Sequence, residues 1–472
     1  YLINFIMLSE GTIIAISTPN GAGAIGVIRL SGDLAIEKAA LFIFPKNKKS
    51  WKNILPNTAF LADFIYVEQL IDEVLVTSFK GPNSYTGEDI VEISCHGSSY
   101  VLQKIISCFL EYKVLPAQPG EFTLRAYLNK KMDLSQAEAV ADIIASESEA
   151  AHRIAMKQMR GGFSKNMEEL RQQLIQFKAL IELELDFSEE EVSFANKDQL
   201  KDLLSKLHKD IHILKESFFY GNVIKNGVPV AIAGKPNAGK SSLLNTLFNE
   251  EKAIVSNIPG TTRDVIEDTL TIDGIIFRFI DTAGLRETND VIEALGVKKA
   301  REKITQASLL IYLYERTTAF KDLISEIKSL QHKNQKLILI ESKIDKYSEG
   351  FDNNLNNELL SALDSMEHTF GMGISTLTSE SIAPLKAHLV NTLKEMGESA
   401  TVVVNNSRHY YALINAFKAI EITMDGLEND LPGDLLSIEL KEAIFYIGSI
   451  TGKIDTDHDV LGAIFGQFCI GK

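Results

Sequence analysis

The 472-residue chain has few of the features that mark a secreted or membrane protein. It contains only three cysteines, Cys95, Cys108 and Cys469, and such a sparse, odd set does not make a disulfide framework. The cysteine content therefore favours a reducing cytoplasm. No stretch approaches the roughly 18 to 20 uninterrupted apolar residues that a membrane helix needs, so we expect no membrane association.

The beginning of the chain also lacks the parts of a signal peptide. The segment "YLINFIMLSEGTIIAIS" is apolar, but it has neither a basic segment nor a small-residue cleavage site. Met7 is an alternative translation start, which would leave the residues before it as an upstream extension.

The chain has fewer basic than acidic residues, and its net charge is −15. Long-range electrostatics would repel a nucleic acid. A nucleic-acid substrate would therefore need a local basic patch or a partner that presents it.

The pattern of residues changes twice along the chain. Up to about residue 125, short β-rich runs such as "AIGVIRLSG" and "DIVEISCHG" alternate with glycine and proline, which predicts an α+β domain. From about Asp133 to Tyr220, apolar residues recur at helical spacing without proline. Ser135 followed by Glu138 has the capping-box pattern and predicts a helix N-terminus there.

A strand, a glycine-rich loop and a helix then appear at "VPVAIAGKPNAGKSSLLNTLF", and strand–helix alternation continues to about Leu385. Helical periodicity returns after that point. We therefore predict a multidomain α/β protein in which a Ras-like P-loop domain interrupts a helical domain, whose C-terminal helices pack on the earlier ones. The predicted parts are an N-terminal α+β domain at 1–126, helical parts at 127–220 and 386–472, and the inserted domain at 221–385.

The inserted segment carries a strong nucleotide-binding signal. "GKPNAGKS", Gly234 to Ser241, fits the P-loop pattern, with a strand before it and a helix after it. Its glycines let backbone N–H groups surround phosphates, and the helix N-terminus adds positive potential. Lys240 is expected to reach the β- and γ-phosphates, and the Ser241 hydroxyl to bind Mg²⁺.

Downstream segments indicate a GTPase. Either Thr261 or Thr262 in "PGTTRD" can complete the Mg²⁺ shell. In "DTAG", Asp281 can hold the same shell and the Gly284 amide can sense the γ-phosphate. The residues predicted to contact GTP are Asn237, Ala238, Gly239, Lys240, Ser241, Ser242, Ser256, Asn257, Ile258, Pro259, Gly260, Thr261, Thr262, Asp281, Thr282, Ala283, Gly284, Ser342, Lys343 and Asp345.

Guanine recognition normally uses the pattern N-K-x-D, and this chain has Ser342-Lys343-Ile344-Asp345. Asp345 can accept hydrogen bonds from the guanine N1–H and amino group, while Lys343 can lie over the ring. Serine in place of asparagine loses hydrogen bonds that support the base and the loop, at a cost of about 1–2 kcal/mol.

A catalytic glutamine is absent, because Leu285 follows D-T-A-G and cannot orient water. Arg263 and Arg286 lie nearby in sequence, but neither is an obvious arginine finger. Either hydrolysis is slow or another charge stabilises the transition state. The side chain of Asn237 could help to bind a monovalent cation beside the phosphates, or it could simply hydrogen-bond within the loop.

These motifs, in this order, resemble the MnmE (TrmE) family of tRNA modification GTPases. The resemblance covers nearly the whole chain and includes "TIIAISTPNGAGAIGVIRLSG", "GPNSYTGEDIVEISCHG", "QPGEFTLRAYLNKKMDLSQAEAVADII" and the terminal "FCIGK". The last is far more specific than the P-loop. One departure is "GAGAIG", with alanine where the family often has arginine or glycine.

The resemblance implies a homodimer whose N-terminal domains pair and bind a folate, 5,10-methylene- or 5-formyl-tetrahydrofolate. It also implies an FAD-dependent partner, MnmG, in a heterotetramer or larger complex. Together they would add a carboxymethylaminomethyl or aminomethyl group at C5 of the wobble uridine, position 34, of certain tRNAs. The flavoenzyme would make much of the RNA contact, which agrees with the acidic charge.

Residue by residue, the resemblance implies a K⁺ site of Asn237, Ser256, Ile258 and Thr261. Mg²⁺ would be held by Ser241 and Thr262, and Glu293 would position the catalytic water in place of the missing glutamine. Without the resemblance, Glu293 would be interpreted as a solvated helix charge. The implied folate contacts are Arg29, Glu88, Lys131 and Lys472, with Lys130 as the alternative to Lys131.

The terminal "FCIGK" is then expected to run toward the folate domain. Phe468 and Ile470 would anchor it and Gly471 would allow a tight backbone path. Cys469 is either a small buried side chain or a thiolate that acts as base or nucleophile in the modification chemistry.

Two other functions fit parts of the pattern. A ribosome-assembly GTPase would share the nucleotide cassette, but it would need basic RNA-binding extensions. A GTP-regulated folate aminomethyl transferase could act on a substrate other than RNA, and only a substrate assay separates it from a tRNA-modifying enzyme.

Overall fold

The computed structural model describes secondary structure over most of the chain. The described ranges are 11–19, 21–47, 50–186, 197–249, 267–280, 304–305, 307–330, 332, 335–348, 351–363, 369–376, 382–397, 403–429, 431–453, 461, 464–466 and 468–471.

The chain divides into two compact units. The first consists of Tyr1–Ile144, Met156–His208 and Asn415–Lys472, and the second of Ala145–Ala155 and Lys209–Ile414. The four-part division predicted from the sequence is finer than these units and stays a prediction.

The first unit contains a mixed sheet with the strand order β3-β4-β5-β6-β2-β1-β7. Its strands are β1 (Ile13–Ile16), β2 (Ile25–Ser31), β3 (Ile43–Pro45), β4 (Ala59–Tyr66), β5 (Gln69–Phe79), β6 (Ile90–His96) and β7 (Leu115–Pro116). The central strands alternate between buried apolar residues and more exposed residues, as a sheet with one covered face requires. The β-rich runs predicted from the sequence are therefore confirmed.

Three helices accompany this sheet, namely α1 (Ala35–Ala40), α2 (Ser99–Glu111) and α3 (Glu121–Leu128). Helix α2 buries Leu102, Ile105, Cys108 and Phe109 in the same apolar core as the inward side chains of the strands. Cys108 is therefore a core residue, as its apolar surroundings in the sequence suggest.

Long helices follow: α4 (Leu134–Ala145), α5 (Glu149–Met159), α6 (Gly162–Asp186) and α7 (Lys197–Asn226). Near the C-terminus lie α12 (Ser407–Glu428) and α13 (Gly433–Thr451). Within the first unit α13 packs against α6, which confirms that C-terminal helices return to the earlier ones. Lys453, just after α13, forms a 2.8 Å ion pair with Glu168 of α6.

The N-terminal cap of α4 differs from the one predicted. Asp133 accepts hydrogen bonds from the Gln136 backbone N–H at 3.0 Å and from the Ser135 hydroxyl at 2.8 Å. The Gln136 side chain in turn accepts from the Asp133 backbone N–H at 3.0 Å. The capping box is therefore Asp133 with Gln136, and the prediction of Ser135 with Glu138 is wrong because the helix begins one residue before Ser135.

The second unit contains a sheet with the strand order β13-β12-β11-β8-β10-β9, parallel except for the β9–β10 pair. The strands are β8 (Val228–Gly234), β9 (Glu267–Ile272), β10 (Ile275–Ile280), β11 (Leu309–Tyr314), β12 (Lys336–Ser342) and β13 (Thr369–Ile374). The described helices that accompany it are α8 (Lys240–Asn249), α9 (Phe320–Leu330), α10 (Asn353–Ala362) and α11 (Ile382–Gly397).

Strands β11 and β12 are buried at every position, as parallel strands with helices on both faces must be. The loops after β8 and β12 leave the same carboxyl edge of the sheet, where ligands bind in open α/β folds. Within the described ranges, no helix has both the length and the apolar composition to cross a bilayer.

Candidate nucleotide and folate sites

The P-loop connects β8 to α8 at the carboxyl edge of the second unit's sheet. Its first residue, Gly234, has φ of 140°, and a Cβ there would lie 2.2 Å from the Leu313 carbonyl oxygen. Only glycine fits this position. Asn237 has φ of 63°, which makes it a left-handed residue in the middle of the loop.

Lys240 opens α8, and its ammonium group lies against the loop. Its Nζ donates to the carbonyl oxygens of Gly234 at 2.6 Å and Lys235 at 2.9 Å. Burial lowers the pKa of Lys240, and the charge of Glu326 opposes that shift. An anionic phosphate would favour the charged form, so the site is suited to a polyphosphate.

The base-recognition loop, residues 342–345, lies beside the P-loop. Lys343 donates from Nζ to the backbone carbonyl of Asn237 at 2.6 Å, and the Cβ of Ser342 is 3.9 Å from where a Cβ on Gly239 would stand. The Ser342 side chain is buried, and its hydroxyl donates to the Tyr314 carbonyl oxygen at 3.1 Å. Asp345 follows in the short 3-10 helix Ile344–Lys346.

Several predicted site residues lie outside the described residues. They are Ser256, Asn257, Ile258, Pro259, Gly260, Thr261, Thr262, Asp281, Thr282, Ala283, Gly284, Glu293 and Lys472. The described part of the nucleotide site therefore consists of the P-loop, the start of α8 and the base-recognition loop, where Ala238 is buried and Ser241 and Ser242 are exposed.

Arg29 of β2 lies in a fixed polar and aromatic setting in the first unit. Its Nε and Nη2 both donate to Glu92 on the neighbouring strand, at 2.9 and 2.8 Å. Its guanidinium carbon lies 5.5 Å from the ring centre of Tyr85 and 5.6 Å from that of Phe122. These contacts fix the position of a cationic guanidinium group, which is suited to bind an anion.

Glu88 precedes β6 on the loop that also carries Tyr85. Its carboxylate accepts hydrogen bonds from Arg125 at 3.0 and 3.1 Å and from the Ser31 hydroxyl at 2.7 Å. Lys131 lies next to the same loop, because its Cγ is 3.4 Å from where a Cβ on Gly87 would stand. Its Nζ donates to the Pro82 carbonyl oxygen at 2.8 Å.

The C-terminal tail reaches this domain. Ser17 donates from its hydroxyl to the Gly471 carbonyl oxygen at 3.1 Å. Gly471 has φ of 96°, and a Cβ there would lie 2.1 Å from the Ile16 carbonyl oxygen, which confirms the expected tight backbone path. Phe468 is buried against Phe465 in a cluster with α3 and α4 residues, so it anchors the tail as predicted.

One expectation for the tail is wrong, and one of the two alternatives for Cys469 is excluded. Ile470 does not anchor it, because 60% of that side chain is exposed and the backbone of Gly471 makes the contact with β1 instead. Cys469 is not a buried packing residue, because its thiol is exposed. The alternative that remains for Cys469 is an accessible thiol.

The other cysteines are structural. Burial raises the pKa of Cys95 to about 11, and its Sγ lies 3.5 Å from the Gly26 carbonyl oxygen. The adjacent His96 pairs through Nδ1 with Asp72 at 2.6 Å. The described residues contain no group of three or more histidine, cysteine or acidic side chains that could hold a metal ion.

The sequence did not indicate the residues that hold the predicted site residues in place. Arg125 is buried and bonds both Glu88 and Glu121, while Glu315 bonds Lys343 of the base-recognition loop and Arg316 bonds Glu341, just before that loop. Glu121 and Arg125 are four residues apart on α3, and that spacing was the one signal available.

Comparison with known proteins agrees with this architecture. The model of the MnmE helical domain matches residues 134–469, and the model of the GTP-binding protein TrmE N-terminus matches residues 12–131. A tRNA modification GTPase MnmE from Christiangramia forsetii is 48% identical over 99% of this chain and 100% of its own length. The protein of the same name from Cytophaga hutchinsonii is 47% identical over 98% of each chain. Among solved structures, the G domain of the T. maritima FeoB iron transporter matches with 29% identity and a TM-score of 0.25, covering 35% of this chain and 97% of that one.

Proposed function

The chain belongs to the MnmE (TrmE) family of tRNA modification GTPases, and we propose that it couples GTP hydrolysis to modification of the wobble uridine of certain tRNAs. With an FAD-dependent partner of the MnmG type, it adds a carboxymethylaminomethyl or aminomethyl group at C5. The observation that carries the proposal is the exposed thiol of Cys469 on a tail held against the strand next to Arg29.

The residues that the resemblance implies for folate binding have the chemistry that a folate requires. A folate presents glutamyl carboxylates, which suit Arg29, Lys131 and Lys472, and a pterin edge of hydrogen-bond donors, which suits Glu88. When bound, a tetrahydrofolate derivative supplies the one-carbon unit. Arg125 orients the Glu88 carboxylate, and the aromatic pair beside Arg29 limits the movement of its guanidinium.

The nucleotide half of the function rests on the P-loop and its neighbours. With nucleotide bound, Lys240 would neutralise the β- and γ-phosphates, the exposed Ser241 hydroxyl at the start of α8 would be a ligand for Mg²⁺, and Asp345 would select guanine. In this proposal Thr262 would complete the Mg²⁺ shell, and Glu293 would position the catalytic water.

A monovalent cation held by this chain would take the place of an arginine finger. Asn237 is an exposed residue of the P-loop with φ of 63°. A carbonyl oxygen at that position suits K⁺, which would share the ligands Ser256, Ile258 and Thr261. K⁺ would supply positive charge where negative charge develops during hydrolysis.

A homodimer is also proposed, and one face of the N-terminal sheet supports it. Leu61 of β4 and Leu75 of β5 are directly opposite each other and roughly half exposed, on the sheet face away from α2. Ile25 of β2 is 67% exposed. Large apolar side chains grouped on an open sheet face are typical of an interaction surface. We place the complex in the cytoplasm, since the three cysteines suit a reducing compartment.

Nucleoside analysis of tRNA from a strain that lacks the protein tests this function. We expect wobble uridines without the C5 group, restored by a plasmid-borne copy. Normal modification in the deletion strain would refute the proposal. Normal modification together with abnormal ribosomal subunits would favour a ribosome-assembly GTPase instead.

A further inference from the structure

Three consecutive residues at the end of β11 hold three consecutive residues at the end of β12. The pairs, with distances of 3.1, 2.5 and 2.8 Å, are Tyr314 with Ser342, Glu315 with Lys343, and Arg316 with Glu341. The two strands are parallel neighbours, so the pairs lie side by side at the edge of the sheet where the base-recognition loop begins.

Glu341 connects this arrangement to the next helix. Its side chain is fully buried, and its second carboxylate oxygen accepts from the Asp352 backbone N–H at 3.0 Å, at the start of α10. A buried carboxylate is costly without a cation, so Arg316 is the residue that allows Glu341 to occupy this place. Glu341, the residue before Ser342, is therefore held both by Arg316 and by the start of α10.

Lys343 connects the arrangement to the P-loop. Its ammonium group lies between the Glu315 carboxylate and the Asn237 carbonyl oxygen, at 2.5 and 2.6 Å. Lys343 has φ of 60°, a backbone conformation that a residue with a side chain seldom adopts without support. The bond to Glu315 sets the position of the ammonium group at the end of this side chain.

We propose that Glu315 is a positioning residue for guanine-nucleotide binding. It fixes Lys343, which supports the base without the help of the asparagine that usually stands at position 342. This inference rests on the proposed GTPase function. Ser342 is too short to reach beyond the Tyr314 carbonyl oxygen, so the loop depends on the charged pairs on either side of it. Glu315 acts on the nucleotide only through Lys343.

Titration of the full-length protein with a fluorescent GDP analogue tests the inference through a double-mutant cycle. Glu315→Ala is expected to weaken GDP binding about tenfold, because a hydrogen bond to a charged group is lost at a partly exposed site. In a Lys343→Ala background, the same change should alter binding less than about twofold, since the two side chains act as a unit. Glu315→Asp, which keeps the charge, should recover part of the affinity.

The readouts separate positioning from general stability. Glu315→Ala should weaken GDP and inosine diphosphate equally, because Lys343 contacts the ring and not the exocyclic amine. Glu358→Gln, an exposed acidic position on α10, is the matched control and should bind like the wild type. Unchanged affinity in Glu315→Ala, or an equal loss with and without Lys343, would overturn the inference. A wild-type protein that binds no GDP would overturn the proposed GTPase function as well, and the two failures are therefore distinguishable.

Discussion

The hydroxyl of Ser17 donates a 3.1 Å hydrogen bond to the carbonyl oxygen of Gly471, joining two residues that are 454 positions apart in the sequence. Ser17 directly follows β1, and β1 pairs with β2, where Ala15 lies opposite Arg29. Gly471 thus lies against the end of β1, next to the strand that carries Arg29. This contact holds the tail that carries the exposed Cys469 in the first unit, where we propose that modification occurs, whereas the P-loop belongs to the second unit.

Replacing Gly471 should separate the two activities. In Gly471→Ala the new Cβ would lie 2.1 Å from a backbone oxygen at a φ of 96°, so the tail must move. We expect tRNA modification to fall about 100-fold, because a displacement of about 1 Å at a reacting group has that effect. GTP hydrolysis measured on the same preparation should remain unchanged. Gly23→Ala, whose Cβ would make an ordinary 3.6 Å contact, is the control.

Arg125 should be essential for the stability of the N-terminal domain. It is buried between Glu88 and Glu121, so Arg125→Ala leaves two carboxylates without their cation. We expect the free energy of unfolding to fall by about 3–5 kcal/mol, measured by urea denaturation. Arg153→Ala, at an exposed position of α5, should change it by less than about 0.5 kcal/mol. A small effect at Arg125 would show that the pair with Glu88 does not form.

Potassium should accelerate GTP hydrolysis. We expect a strong increase in rate when K⁺ replaces Na⁺ at equal ionic strength, and Asn237→Ala should remove most of that increase. Removing one group that stabilises transition-state charge typically costs about 100- to 1000-fold in rate. Binding of GDP in Na⁺ should be little affected by the substitution. Equal rates in the two salts would contradict the cation proposal.

The three cysteines should differ in reactivity. Cys469 is exposed, whereas Cys95 and Cys108 are buried. Burial raises the pKa of Cys95 to about 11, so at any lower pH the folded chain holds less thiolate there than the unfolded chain does. At about pH 8, a maleimide should label Cys469 alone in the native protein and all three after denaturation, as peptide mass spectrometry would show. Native labelling of Cys95 would contradict its burial.

The sequence predicted local elements well where their signals are local. The P-loop glycines, the β-rich runs and the path of Gly471 follow from residue types at fixed positions. The predicted cap of α4 was displaced by two residues, because Asp133 and Ser135 both begin pairs with capping-box spacing and the local sequence does not decide between them.

Other features depend on contacts between distant residues. The carboxylate of Glu341 accepts a hydrogen bond from Arg316. The hydroxyl of Ser342 donates to the carbonyl oxygen of Tyr314, 28 positions earlier. The exposure of Ile470 likewise follows from the path of Gly471 along β1, which the apolar character of "FCIGK" does not indicate. Such pairings arise only once β11 lies beside β12, or the tail beside β1.

The most direct test of the account uses a strain whose only copy of the protein ends at Phe468. The tail would then lack Cys469 and the Gly471 contact with Ser17, while the P-loop and base-recognition loop would be intact. Nucleoside analysis of its tRNA should show wobble uridines without the C5 group, and the purified truncated protein should hydrolyse GTP at the full-length rate. Normally modified wobble uridines in that strain would contradict the central claim that the C-terminal tail belongs to the modification centre.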